Sequence, residues 1–102
     1  MKLREIAHSR AGDKGDISNL SVIAYKMEDY EHIKKEVTSE KVKAHFEGIT
    51  LGDVVRYEVP KIGALNFVMY GALATGVTRS LRMDIHGKAL SSLLMDMEIA
   101  ER

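Results

Sequence analysis

A polar segment near the N-terminus has the residue types and spacing that could bind an anion. Residues 10–16 read RAGDKGD and follow a short apolar stretch. Gly12 and Gly15 allow a ligand to approach the backbone closely. Arg10 and Lys14 are cations that form charge-assisted hydrogen bonds with a carboxylate or a phosphate. The segment therefore predicts a ligand site made of two cations and two glycines.

The two aspartates of the same segment are the candidates for a catalytic base. The carboxylate of Asp13 or Asp16 could accept a proton while Lys14 or Arg10 stabilises the negative charge that develops. Both carboxylates could also bind a hydrated divalent cation. The segment lacks the glycine-loop pattern of nucleotide-binding proteins. Because Gly, Asp and Lys are also ordinary turn residues, a solvated turn without function is the other interpretation.

A second candidate segment spans residues 75–88 and reads TGVTRSLRMDIHGK. Its local charge is positive, and Arg82 and Lys88 are the predicted ligand-binding residues. Arg79 and Arg82 would point to opposite faces of a strand, so one pocket could use only one of them. A strand with one solvent-facing arginine is the alternative. Asn66, inside an apolar run, is either a satisfied buried amide or a further ligand-orienting group.

Composition and charge exclude several classes of function. The chain has no cysteine, so it has no disulfide, thiolate nucleophile or cysteine-type zinc site. The four histidines are scattered without metal-binding spacing, and we predict no metal and no cofactor. Fifteen basic residues balance fifteen acidic ones, which argues against nucleic-acid binding. With no apolar stretch long enough to cross a bilayer and no signal peptide, we expect no membrane contact and a cytoplasmic location.

Periodicity indicates which elements position the candidate residues. The predicted strands cover residues 3–8, 20–25, 55–59 and 77–83, with residues 9–18 as a loop and Pro60 ending the third strand. The predicted helices cover residues 29–37, a segment capped by Thr38 or Ser39, residues 64–73, and a segment after Gly87. Residues 64–73 are apolar nearly all round, so they would be buried either as a helix, which we favour, or as a strand.

Strands and helices are interspersed without the spacing of repeated strand–helix–strand units. No linker or repeat divides residues 1–102, so we predict one domain. The predicted fold class is α+β, with a small antiparallel or mixed sheet and helices packed on one face.

Several short motifs, in order, resemble one known family. They are RAGDKGD, NLSVIAY, RYEVP, ALNF, GAL, GVTRSLRMD and GKAL. On these motifs the chain is similar to the C-terminal domain of the acyclic terpene utilisation protein A (AtuA) family. The resemblance implies a ferredoxin-like fold. The positions that match the family pattern are Arg10, Gly12, Asp13, Lys14, Gly15, Asp16, Asn19, Asn66, Gly76, Arg82, Asp84, Gly87 and Lys88.

The resemblance also implies a functional setting. Relatives carry this domain behind a much larger one or as a separate small protein, and they take part in catabolism of branched acids as coenzyme A thioesters. The first expectation is therefore a small or accessory subunit that works with a large AtuA-like subunit, with a coenzyme A thioester as possible substrate. The alternative is a self-contained homo-oligomeric module that binds a small anion. A complete small enzyme ranks third, because no nucleophile and base can be paired from spacing.

Overall fold

The computed structural model describes residues 1–14, 17–46, 52–70 and 89–102. The strands in these ranges are β1 (Ala7–Lys14), β2 (Ile17–Ala24), β3 (Val54–Val59) and β4 (Ala64–Tyr70). The α-helices are α1 (Tyr30–Glu36), α2 (Ser39–His45) and α3 (Ala89–Met95). Single 3-10 turns cover Leu3–Glu5, Met27–Asp29 and Pro60–Ile62.

The four strands form one antiparallel sheet in the order β1-β2-β4-β3. The helices pack on one face of this sheet, which confirms the predicted α+β class. Alternate residues of the two central strands point toward the helices, because successive side chains of a strand lie on opposite faces. Leu20 and Val22 of β2 and Leu65, Phe67 and Met69 of β4 are fully buried there. The helices and the segment after α3 complete this core with Ile33, Val37, Val42, Phe46, Leu90, Leu94, Met97 and Ile99.

The helix favoured for residues 64–73 is wrong, since residues 64–70 form the central strand β4. Its position explains the misleading sequence pattern. A central strand has a neighbour on each side, so its outward residues Asn66 and Val68 are also half-buried. The run therefore contains apolar residues at both alternating sets of positions, and period-2 alternation is hidden.

The loop predicted for residues 9–18 is also wrong. Residues 7–14 pair with residues 17–24 one by one, from Ala7 opposite Ala24 to Lys14 opposite Ile17. The strand predicted for residues 3–8 thus begins only at Ala7, and Leu3–Glu5 is a 3-10 turn. In the described sheet β1 is the outermost strand, and its residues Arg10, Ala11 and Gly12 are exposed, as the side chains of an edge strand can be while its backbone is paired on one side.

The other described elements match the predictions closely. The first two helices and the last one occur where periodicity indicates, and Thr38 caps α2 by accepting a hydrogen bond from the Lys41 amide at 3.2 Å. Strand β3 ends at Pro60, as predicted. Gly63 then turns the chain into β4 with a φ of 65°, a conformation that disfavours a Cβ atom. The strand predicted for residues 77–83 lies outside the described residues.

The C-terminal segment is held against α1 by hydrogen bonds. The Glu36 carboxylate accepts a hydrogen bond from the Ala100 amide at 2.8 Å, and His32 donates to the Ala100 carbonyl at 2.7 Å. Lys41 Nζ lies 3.6 Å from Glu36 Oε1. The Ala100 amide, with Lys41, lowers the pKa of Glu36 below its ordinary value of 4.5. The ionised carboxylate is therefore the form that the folded chain stabilises.

This shift predicts a loss of stability in acid. Because the folded-state pKa is depressed, the contribution of Glu36 is present above about pH 4.5 and disappears as the pH falls through the folded-state value. Glu36→Gln keeps an acceptor but removes the charge, so it should cost about 1 kcal/mol at neutral pH and less in acid. Urea titrations between about pH 7 and about pH 3 measure the difference. The exposed Glu28→Gln is the control, and equal pH profiles for the Glu36 variant and the unchanged chain would contradict the assignment.

Candidate functional site

The face of the sheet opposite the helices, here called the outer face, contains four of the predicted ligand-binding positions. The backbone register places Arg10, Gly12, Lys14 and Asn66 on it, together with the family-pattern residue Asn19. Its other members are His8 of β1, Ile17, Ser21 and Ile23 of β2, Ala64, Val68 and Tyr70 of β4, and Val55, Tyr57 and Val59 of β3.

A row of four polar side chains crosses the middle of the outer face. Arg10 lies opposite Ser21, Ser21 opposite Asn66, and Asn66 opposite Tyr57, so each strand of the sheet contributes one residue. Residues directly opposite on adjacent strands have Cβ atoms about 5 Å apart. Each of these four residues is therefore adjacent in space to the next one across the sheet, and we call the four residues the polar row.

The polar row leaves two strong hydrogen-bonding groups available. The Ser21 hydroxyl is occupied by the Arg10 backbone, accepting from its amide at 3.2 Å and lying 3.4 Å from its carbonyl oxygen. The Arg10 side chain is exposed, and within the described ranges its guanidinium makes no ion pair. The half-buried amide of Asn66 likewise has no hydrogen bond to the described residues. Ser21 has a small side chain and lies between Arg10 and Asn66 in the register.

The outer face around the polar row exposes large apolar side chains. Tyr57 is 51% exposed, Tyr70 41%, and Ile17 and Val59 37% each. Val55, Val68 and Ile23 are half-buried between them. On an ordinary solvent-facing sheet these positions would be mainly polar. The outer face thus exposes aromatic side chains and an arginine, residue types that are enriched in protein interfaces, beside further apolar side chains.

The predicted base Asp13 is not part of this arrangement. Asp13 and Lys14 lie at the end of β1, opposite Ser18 and Ile17 in register, so they belong to a strand and not to the predicted loop. The register puts Asp13 at a helix-side position and Lys14 at an outer-face position. The predicted base Asp16 and the predicted ligand-binding residues Gly15, Arg82 and Lys88 lie outside the described residues. The expected meeting of the two polar segments therefore stays a prediction.

A cavity of about 320 Å³ lies beside the edge strand β1 and α3. Its lining includes Arg4, His8, Ser9, Tyr25 and Ser92. The His8 and Tyr25 rings stack with their centroids 5.2 Å apart, and Arg4 is ion-paired with Asp96. The Ser9 hydroxyl is buried and has no hydrogen-bond partner among the residues that the structure describes. Because that oxygen is covered, it does not present its hydroxyl to a molecule in the cavity.

Metal-binding clusters and membrane-spanning helices are both absent from the described ranges. No group of three or more His, Asp or Glu side chains there is arranged to hold a metal ion. None of the helices in those ranges is long and apolar enough to cross a membrane.

Comparison with known proteins agrees with this architecture. The family model described as the AtuA ferredoxin-like domain matches residues 1–100. The chain belongs to this family. The match confirms the resemblance predicted from the motifs over essentially the whole chain. No match was found among curated proteins or among solved structures.

Two members of the polar row of this AtuA ferredoxin-like domain were not predicted from sequence. Tyr57 was assigned to a half-buried strand without a functional role, and Ser21 was read as part of a buried strand. The alternation of Tyr57 with Arg56 and Glu58 is visible in the sequence. Its meaning depends on β3 lying next to β4, which puts Tyr57 beside Asn66.

Proposed function

We propose that this chain is a small accessory subunit that binds a large AtuA-like chain through the outer face of its sheet. The observation that supports this proposal is the exposure of Tyr57, Tyr70, Ile17 and Val59 on a face that no described helix covers. Contiguous exposed apolar side chains mark interaction surfaces, since leaving them in water is unfavourable. The family match supports a large AtuA-like chain as the partner.

In this proposal the small subunit supports catabolism of acyl-CoA or branched carboxylic acids, and any coenzyme A thioester is a substrate of the complex. In the described ranges, no group of His, Asp or Glu side chains is arranged to hold a metal ion. The accessory subunit would contribute binding surface, and the large chain would contribute the reacting groups.

A charge placed on the outer face tests the proposal. Tyr57→Glu should weaken binding of the large AtuA-like subunit at least about 10-fold, because an exposed tyrosine in an interface core is a typical hot spot and a buried unpaired carboxylate is unfavourable. Isothermal titration calorimetry with the two purified chains measures the dissociation constant.

Ala44→Glu is the matched control, since Ala44 is exposed on α2 on the opposite side of the sheet. It should leave the affinity within about twofold. If the unchanged chain does not bind the large subunit, or if both variants bind equally well, the accessory-subunit proposal is wrong.

One observation favours the second candidate, a homo-oligomeric module that binds a small anion. On the same face, the side chains of Arg10 and Asn66 have no hydrogen bond to any residue that the structure describes, and there is open space beside Gly12. This candidate predicts that a small carboxylate raises the melting temperature of the isolated chain. The same chain should then be a stable oligomer in analytical ultracentrifugation.

A further inference from the structure

Charge is distributed unequally between the two faces of the sheet. The outer-face side chains that the structure describes include the cation Arg10 and no carboxylate. The Glu58 carboxylate of β3 lies on the other face, near the guanidinium of Arg56 at 3.3 Å. Asp53, just before β3, is 3.8 Å from Lys43 of α2. The carboxylates of these two β3 neighbours are therefore already paired away from the outer face.

The polar row is suited to a carboxylate because both of its available groups can donate hydrogen bonds. Arg10 and Asn66 flank the small Ser21, so one carboxylate above Ser21 could accept from the guanidinium and from the Asn66 amide nitrogen. Guanidinium and carboxylate form two parallel hydrogen bonds, which are stronger than those between neutral groups. An apolar surround removes water from such a pair and strengthens it.

We propose that the polar row binds an aspartate or glutamate side chain of the large AtuA-like partner, an inference that rests on the proposed function. Charge complementarity selects this occupant. A second copy of the chain would present the same outer face without a described carboxylate, and it would leave both guanidinium groups unpaired. The apolar side chains that extend from Ile17 to Val59 also offer far more contact area than a small free anion could cover.

Two substitutions in the polar row test this inference with the purified large subunit. Arg10→Gln removes the charge and should weaken binding at least about 10-fold. It should also flatten the dependence of affinity on salt, because the screened charge pair is gone. Asn66→Asp supplies a carboxylate within the chain itself, so it should weaken binding by a similar factor while leaving the melting temperature of the free chain unchanged or raised.

Lys35→Gln on α1 is the matched control, because it removes one exposed cation on the helix side of the sheet. It should change the affinity less than about twofold. If the unchanged chain binds the large subunit and both polar-row variants bind as tightly, the carboxylate inference is wrong while the accessory-subunit proposal stands. If the unchanged chain does not bind, both fail.

Free acetate distinguishes a small-anion site from a docking site on the isolated chain. Acetate at about 10 mM should leave its melting temperature unchanged, because one weak contact without the apolar surround gives little affinity. A rise in melting temperature that Arg10→Gln abolishes would overturn the assignment to a partner side chain. An isolated chain that dimerises through the outer face, and dissociates on Tyr57→Glu, would overturn it as well.

Discussion

Phe67→Ala should destabilise the folded chain by about 3–5 kcal/mol, the largest effect that we expect from a single substitution. Phe67 is fully buried at the centre of β4, opposite Leu20 of β2 and Arg56 of β3. Removing its ring leaves a cavity between the sheet and the helices, and the neighbouring strands prevent the site from collapsing. Urea denaturation followed by far-ultraviolet circular dichroism measures the change.

The adjacent residue provides the matched control for this prediction. Val68 is half-buried on the outer face, and Val68→Ala should cost less than about 1 kcal/mol in the isolated chain. The contrast follows from strand alternation, since neighbouring residues lie on opposite faces of the sheet. If Phe67→Ala and Val68→Ala destabilised the chain equally, residues 64–70 could not be a strand with only one face toward the core.

Arg56→Met should destabilise the chain by about 2–3 kcal/mol. The Arg56 guanidinium crosses from β3 to the C-terminal end of α1, where it donates to the Lys34 carbonyl at 2.6 Å and to the Val37 carbonyl at 3.0 Å. These carbonyls are among those that an α-helix leaves without intrahelical partners. Methionine keeps much of the apolar stem of arginine and removes its hydrogen-bond donors. The decrease in the free energy of unfolding therefore measures the contribution of the Arg56 guanidinium group.

Arg4→Met is the control for Arg56→Met. Arg4 is exposed and ion-paired with Asp96, and an exposed ion pair of this kind contributes about 0–1 kcal/mol. Chemical denaturation of both variants measures the two losses under the same conditions. Equal losses would show that the contacts of Arg56 with α1 contribute no more than a surface ion pair.

The local elements were predictable where one face meets water. Helix α1 has apolar residues on one side and charged residues on the other, and β3 alternates until Pro60. The Thr38 cap was predictable because a capping hydroxyl accepts a hydrogen bond from an amide only three residues further along the chain. The helix cap forms between residues that are close in sequence. For α1 and β3, the spacing of apolar and polar residues shows which side of the element meets water.

Strand β4 and the polar part of strand β1 were not predictable from sequence. Strand β4 lies between β2 and β3, so burial on both sides removed the alternation that identifies a strand. Strand β1 has mostly polar residues, and only its pairing with β2 shows that residues 9–14 are extended. Pairing between strands is a long-range interaction, and single-sequence periodicity does not contain it.

For the candidate site, too, some features were predictable from sequence and others depended on the pairing of strands. By itself, the sequence determined the α+β class and the family, and it predicted Arg10, Gly12 and Asn66 as ligand-binding residues. Only the tertiary structure decided that Arg10 and Asn66 flank Ser21 in one row with Tyr57, on a face that the described helices leave uncovered. The physical reason is strand register: a shift of one residue would turn every side chain to the opposite face, and register depends on packing between distant parts of the chain.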